Sequence, residues 1–247
     1  MINTKERPIA LTVQEVNAVL AGNKTQHRVP VDVDHSVVLT YHSLEAGGAS
    51  PERLDALPFD CPFGNVGDRL WVQEDHRPIS WAFEDGEVTI EYRDGKRLHP
   101  HYLTEEELEI NPNDDYPFAV VEELLARNVP ILKDRDCFDF SNPDNLPHWR
   151  SADVMPKFAS RLLLEVADIR IERVQDISEN DAKAMGLKPD YCDHKYQTCE
   201  YIGCIGKWAS ALFLHLRHEK KLAVHYTDWV WVIEFKVVEP SEVSSAN

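Results

Sequence analysis

Apolar residues recur at helical spacing early in the chain, at Val13, Val16, Val19 and Leu20. Thr12 is placed to cap this run and Gly22 to end it, so the pattern predicts a helix between them. The following NKTQHRVPV is polar and basic and leads into an extended segment. Residues 43–65, rich in Gly, Pro and Asp, are expected to form a long loop. VGDRLWVQED at 66–75 predicts a turn followed by a strand. Leu70 and Val72 would face one way, Trp71 and Gln73 the other. Two turn signals, Asp85-Gly86 and Asp94-Gly95, bracket EVTIEYR and predict a hairpin strand. TEEELE at 104–109 supports a short capped helix at most.

The C-terminal third carries the clearest patterning. Alternation through Leu162, Leu164, Val166, Ile169, Ile171 and Val174, broken at Ala167-Asp168, predicts a strand pair or one long bent strand. Ser178 and Asp181 sit at capping-box positions of a short helix that Gly186 closes. KWASALFLHLR at 207–217 predicts a helix, and WVWVIEFKVV a strand of β-branched and aromatic residues. EPSEVSSAN is expected to fray. Strands dominate and short helices separate them, so the predicted class is α+β around a closed or nearly closed sheet.

Composition narrows the field. The chain has 247 residues, 43% hydrophobic and 28% charged, which suits one large or two small folded domains and excludes global disorder. No apolar run approaches the ~20 residues of a membrane span. MINTKERPIALT lacks a signal-peptide core, so a cytoplasmic location is expected. The net charge of −17 repels phosphate backbones over most of the surface, and any nucleic-acid contact requires a local basic site. Residues 76–148 hold 7 basic and 17 acidic side chains, a net of −10. This stretch is expected to be an acidic insertion or lid with a solvated surface. Five cysteines without a secretory signal predict reduced thiols, with Cys61 and Cys137 as small buried residues.

Four segments carry candidate chemistry. In Gly22-Asn23-Lys24-Thr25-Gln26-His27-Arg28 a glycine turn gathers cations suited to a phosphate, a carboxylate or a polar base edge. A Lys24 shielded from water would act as a base. The competing interpretation is an exposed basic loop. Gly67–Glu74 puts Trp71, Gln73 and Glu74 near a turn, as a platform for a flat base or as a core Trp with surface polar groups. Trp149-Arg150 and Met155–Arg161 offer a pocket rim or a plain connector. Cys192, His194, Cys199 and Cys204 are zinc-type donors, but not at CxxC spacing, and free thiols are the expectation. GxxxxGK[ST], GxGxxG, HExxH and GxSxG do not occur, so common nucleotide hydrolases, dehydrogenases, zincins and serine hydrolases lose support.

The order of LAGNKTQHR, VGDRLWVQED, EVADIRIERVQDISENDAKAMGL and VWVIEFKVV resembles the ASCH domain family of the PUA-like superfamily. CPFG at 61–64 and MPKFASR make it similar to uncharacterised ASCH proteins of bacteriophages and prophages. The resemblance implies a small β-barrel with flanking short helices over 1–76 and 147–240, an acidic insertion at 77–146 and a tail at 241–247. PUA-like modules bind RNA or modified bases. One ASCH branch is similar to acetylcytidine amidohydrolases. Its Lys falls on Lys24, its Thr on His27, its Glu on Met185 and its Arg on Val29, with Arg28 one position early. Because a thioether transfers no proton, Met185 does not replace that Glu.

The resulting expectation is a catalytically diverged domain that binds a nucleobase, a nucleotide or single-stranded RNA, with no cofactor. Gly22, Lys24, Thr25, Arg28, Trp71, Gln73 and Arg161 would hold the ligand. Two alternatives stand beside it. One is hydrolysis of acetylated cytidine or a related amide by Lys24, His27 and Glu74. The other is an acidic phage protein that engages a host factor through 77–146, as a DNA mimic or inhibitor in the bacterial cytoplasm.

Overall fold

The computed structural model describes residues 4–31, 60–82, 87–102, 104, 116–133, 137–187 and 207–238. The order of elements is β1 (Glu6–Ala10), α1 (Val13–Leu20), β2 (Gln26–Pro30), β3 (Arg69–Gln73), β4 (His76–Ala82), β5 (Glu87–Tyr92), β6 (Arg97–Tyr102), α2 (Tyr116–Ala126), β7 (Ile131–Leu132), β8 (Cys137–Phe138), β9 (Leu163–Arg173), α3 (Glu179–Ala184), α4 (Lys207–Leu214) and β10 (Trp229–Val238). The class is α+β, with sheet predominating, as the patterning predicts. The hydrogen-bonded orders are β1-β3-β9-β10-β2 and β6-β5-β4-β8-β7. Each order is linear with two edges, so among the described residues neither sheet closes into a barrel.

The chain forms two compact units. Unit 1 comprises residues 1–7, 17–70 and 164–239; unit 2 comprises 8–16, 71–163 and 240–247. In unit 1, β10 pairs antiparallel with β2, setting Val232 opposite Arg28 and Glu234 opposite Gln26. Its core joins Val174, Ile177, Ala182, Met185, Ala209, Leu212, Leu216, Val224, Val230 and Val232. The stretch 163–173, expected as a strand pair or one bent strand, is the single strand β9. Ser178 caps α3 by accepting from the Asp181 amide, and Gly186 takes a φ of 77° behind it.

Unit 2 contains most of the acidic stretch, and the charge pattern understates its order. Its second sheet buries Val88, Ile90 and Tyr92 against Val120, Leu124, Val129, Phe138, Met155 and Ala159. It therefore has a core of its own. Thr12 and Glu15 reciprocate across the start of α1: the Thr12 amide donates to Glu15 Oε2 (2.9 Å) and the Glu15 amide to Thr12 Oγ1 (3.3 Å). Among the described residues no helix is long and apolar enough to cross a membrane.

Candidate functional site

The segment expected to gather cations is pinned by its backbone. Gly22 adopts a φ of 71° after α1, a left-handed turn that glycine makes without strain. The Asn23 and Lys24 amides both donate to the Ala18 carbonyl. The Thr25 amide donates to the Ala184 carbonyl at the end of α3, and its own carbonyl accepts from the Phe235 amide of β10. Three elements thus fix the residues on either side of Lys24.

The side chains are buried. Lys24 is 2% exposed, His27 4% and Arg28 1%. An exposed basic loop would leave these groups in water, so that interpretation is set aside. Lys24 Nζ donates to the Met185 carbonyl at 3.3 Å. The position where the family resemblance places an acid thus meets Lys24 through main-chain oxygen. Thr25 is exposed, and its role here is through its backbone.

Strand alternation sends Gln26 and Arg28 to one face of β2 and His27 to the other. On the Gln26–Arg28 face a charged network spans three strands and α3. Arg28 Nε donates to Gln26 Oε1 (2.9 Å), and Arg28 Nη2 pairs with Glu172 Oε2 (2.7 Å). Gln26 Nε2 donates to Asp181 Oδ1 (2.8 Å) and Glu234 Oε1 (3.3 Å). Arg170 binds Glu172 (2.6 Å), Glu234 (2.5 Å), Asp181 (3.0 Å) and Asp168 (3.1 Å). Two guanidinium groups and one amide therefore sit among four carboxylates.

Exposure is graded across this network. The Arg28 side chain is 0% exposed, whereas Glu234 is 41% exposed. Burial pulls the Arg28 pKa below its ordinary value, opposed by Glu172 and Asp181. Burial works against the charge of Asp181 too, yet the Ser178 and Gln26 hydrogen bonds with Arg28 and Arg170 hold its carboxyl below the ordinary value. Arg28 Nη1 has no hydrogen-bond partner among the described residues. The network thus keeps a planar cation fixed, with an unused donor beside several acceptors.

Trp71, Gln73, Glu74 and Arg161 belong to unit 2. Trp71 is half-buried on the face of β3 that also carries Gln73, as the alternation predicts. Gln73 Nε2 donates to the Met155 carbonyl at 3.2 Å. Glu74 is 1% exposed, and Arg161 donates to both its oxygens at 2.7 Å. Arg161 also donates to Asp94 (3.0 Å) and lies 4.1 Å over the Tyr92 ring. Burial lifts the Glu74 carboxyl above its ordinary pKa despite Arg161. With both oxygens engaged, Glu74 is a structural anion in this arrangement, and proton transfer by it would first require breaking the pair.

Single-segment reading misses the partners that define the network: Gln26, Arg170, Glu172, Asp181 and Glu234 as one cluster. One signal was present, because Asp168, Arg170 and Glu172 alternate with Ile169 and Ile171 on β9. Cys192, His194, Cys199 and Cys204 lie outside the described residues. Among the described residues no group of three or more His, Cys, Asp or Glu is arranged to hold a metal. No protein-family model, curated protein or solved structure matches the chain.

Proposed function

We propose that unit 1 is an ASCH-like, PUA-like module that recognises a nucleobase or nucleotide at the Lys24–Arg28 segment. The observation that carries this reading is the burial of the Arg28 guanidinium, 1% exposed with Nη1 lacking a hydrogen-bond partner among the described residues, in the same segment as buried Lys24. Withdrawing such groups from water is costly unless partners or a ligand compensate. Glu172 and Asp181 compensate for Arg28 in part, while its Nη1 keeps an unused donor beside these carboxylates. A donor next to acceptors complements the carbonyl-and-amine edge of a base, and Lys24 adds a cation for a carbonyl or phosphate oxygen.

The structural alternative is a polar network that only ties β2 to α3. Calorimetric titration with a panel of nucleosides and nucleoside monophosphates separates the two. The parent protein is expected to bind at least one member of the panel. Lys24→Ala is expected to lose that binding while keeping the parent's circular dichroism. Equal binding by Lys24→Ala, or no binding of any member by the parent, refutes the proposal.

A further inference from the structure

Unit 2 carries a second arrangement of cations, independent of the Lys24–Arg28 segment. The β4–β5–β6 register aligns Arg77 with Glu91 and Glu91 with Arg97. These positions share the face opposite buried Val88 and Ile90. Glu91 is bound from both sides, by Arg77 (2.6 Å) and by Arg97 (3.1 Å). Arg93 and Lys96 lie in the turn joining β5 to β6. The guanidinium carbons of Arg77 and Arg93 lie 4.5 Å and 4.2 Å from the Trp149 ring centroid. Trp149 is held there by the neighbouring bridge, in which His76 and Arg150 exchange two backbone hydrogen bonds.

The two signs of charge are layered. The side chains of Arg93, Lys96 and Arg97 are 43%, 63% and 61% exposed. Their carboxylate neighbours Glu91 and Asp94 are only 12% and 9% exposed, with Glu74 at 1%. Asp75, at 47%, is the exposed acid of this group. Glu91 and Asp94 therefore lie beneath Lys96 and Arg97, Arg77 is itself only 20% exposed, and the outer layer of this group is Arg93, Lys96, Arg97 and Asp75, in a chain whose net charge is −17.

We infer that this Arg77–Arg93–Arg97–Trp149 face binds the phosphate backbone of a single-stranded nucleic acid. Arginine forks match phosphate oxygens, and a guanidinium already stacked on an indole has less freedom to lose on binding. Cations that follow the backbone beside aromatic rings are recurring elements of single-strand binding surfaces. Charge complementarity singles out a polyanion, and the spread of cations over two strands, β4 and β6, and the β5–β6 turn suits an extended chain of phosphates.

The test is fluorescence anisotropy of a labelled 12-nucleotide oligo-U and oligo-dT with the full chain between 50 and 200 mM salt. Arg93→Glu/Arg97→Glu is compared with Lys183→Glu/Lys236→Glu, which changes the net charge equally at exposed lysines in unit 1. The first variant is expected to lose at least tenfold in affinity, while the second stays within about threefold of the parent. The salt slope of the parent, about 0.7 per phosphate contact, is expected to fall by about 1.4 in the first variant. Arg97→Gln, at an exposed position, gives an intermediate loss and guards against misfolding of the double variant. No oligonucleotide binding by the parent, equal losses in the two double variants, or equally tight binding of a polyglutamate peptide would overturn the inference. Failure of every nucleoside and nucleoside monophosphate to bind would remove the unit 1 proposal, whereas oligonucleotide binding that Arg93→Glu/Arg97→Glu weakens would leave this one standing.

Discussion

Replacing Arg161 by Leu isolates the energetics of unit 2. The change leaves Glu74, 1% exposed, without the cation that occupies both its oxygens. Removing one partner of a buried pair costs about 3–5 kcal/mol, because the remaining charge stays desolvated. The Arg161 stack on Tyr92 adds about 0.5–1 kcal/mol. The deficit must depend on pH. Burial already raises the Glu74 pKa in the folded protein, and loss of Arg161 raises it further. A raised folded pKa means that the folded chain keeps a proton the unfolded chain has released. Stability contributed by the protonated form is therefore present below the unfolded value, about 4.3, and is lost as pH rises through the folded pKa. Urea unfolding followed by circular dichroism at pH 4.5 and 7.5 reads this difference. Arg161→Leu is expected to lose about 3–5 kcal/mol at pH 7.5 and less than half of that at pH 4.5. Glu74→Gln/Arg161→Leu is expected to recover more than half of the loss at pH 7.5. A deficit that is equal at both pH values, or below about 1 kcal/mol at pH 7.5, refutes the assignment of Glu74–Arg161 as a buried ion pair.

Other consequences follow from local geometry. Burial lowers the pKa of His76 to about 4, so the folded chain resists a proton that the unfolded one accepts near 6.5. Stability should therefore fall as pH drops from about 6.5 towards 4, and His76→Gln should flatten that part of the profile measured by thermal unfolding. Asp181 has a depressed pKa, so its stabilisation is present above about 3.8 and lost as pH falls through the lower folded value. Asp181→Asn should remove that acid-side slope in urea titrations. Gly64 has a φ of 95°, and a Cβ there would stand 2.5 Å from Asp68 Oδ2. That carboxylate accepts from the Lys5 and Asn65 amides, so Gly64→Ala should cost about 1–3 kcal/mol in the same assay. A cost within experimental error would show that the turn relaxes.

What the sequence reveals divides along the range of the interactions. Helix α1, the Ser178–Asp181 cap, Gly186 and strands β3, β5 and β10 rest on local signals a few residues long, and each is legible. Strands β4 and β6 are hidden by prolines, which remove a ladder donor and argue against a strand. The structure accommodates them at irregular points. The β4–β5 register shifts between Pro78 and Ser80, and Pro100 falls inside the β5–β6 shift, on an edge strand. Helix α2 was obscured by the acidity of its surroundings, although Asn128, at a φ of 55°, is a turn signal beyond its end.

The candidate site divides in the same way. Lys24, His27 and Arg28 are visible as one basic segment. Their burial depends on β9, α3 and β10, which lie more than 130 residues away in sequence. Only the strand register shows that Glu234 meets Gln26, and only the fold shows that Glu172 and Asp181 meet Arg28. Nothing in a local window foretells that Glu74 is already claimed by Arg161.

The central claim is that the Lys24–Arg28 segment reads a ligand rather than merely bracing β2 against α3. The most direct measurement is a heteronuclear NMR titration with nucleoside monophosphates, following the Arg28 Nε–H and Gln26 side-chain signals together with the Lys24 amide. Saturable shifts at these three groups are expected for at least one base. Shifts confined to unit 2, or no saturable change for any base, would contradict it.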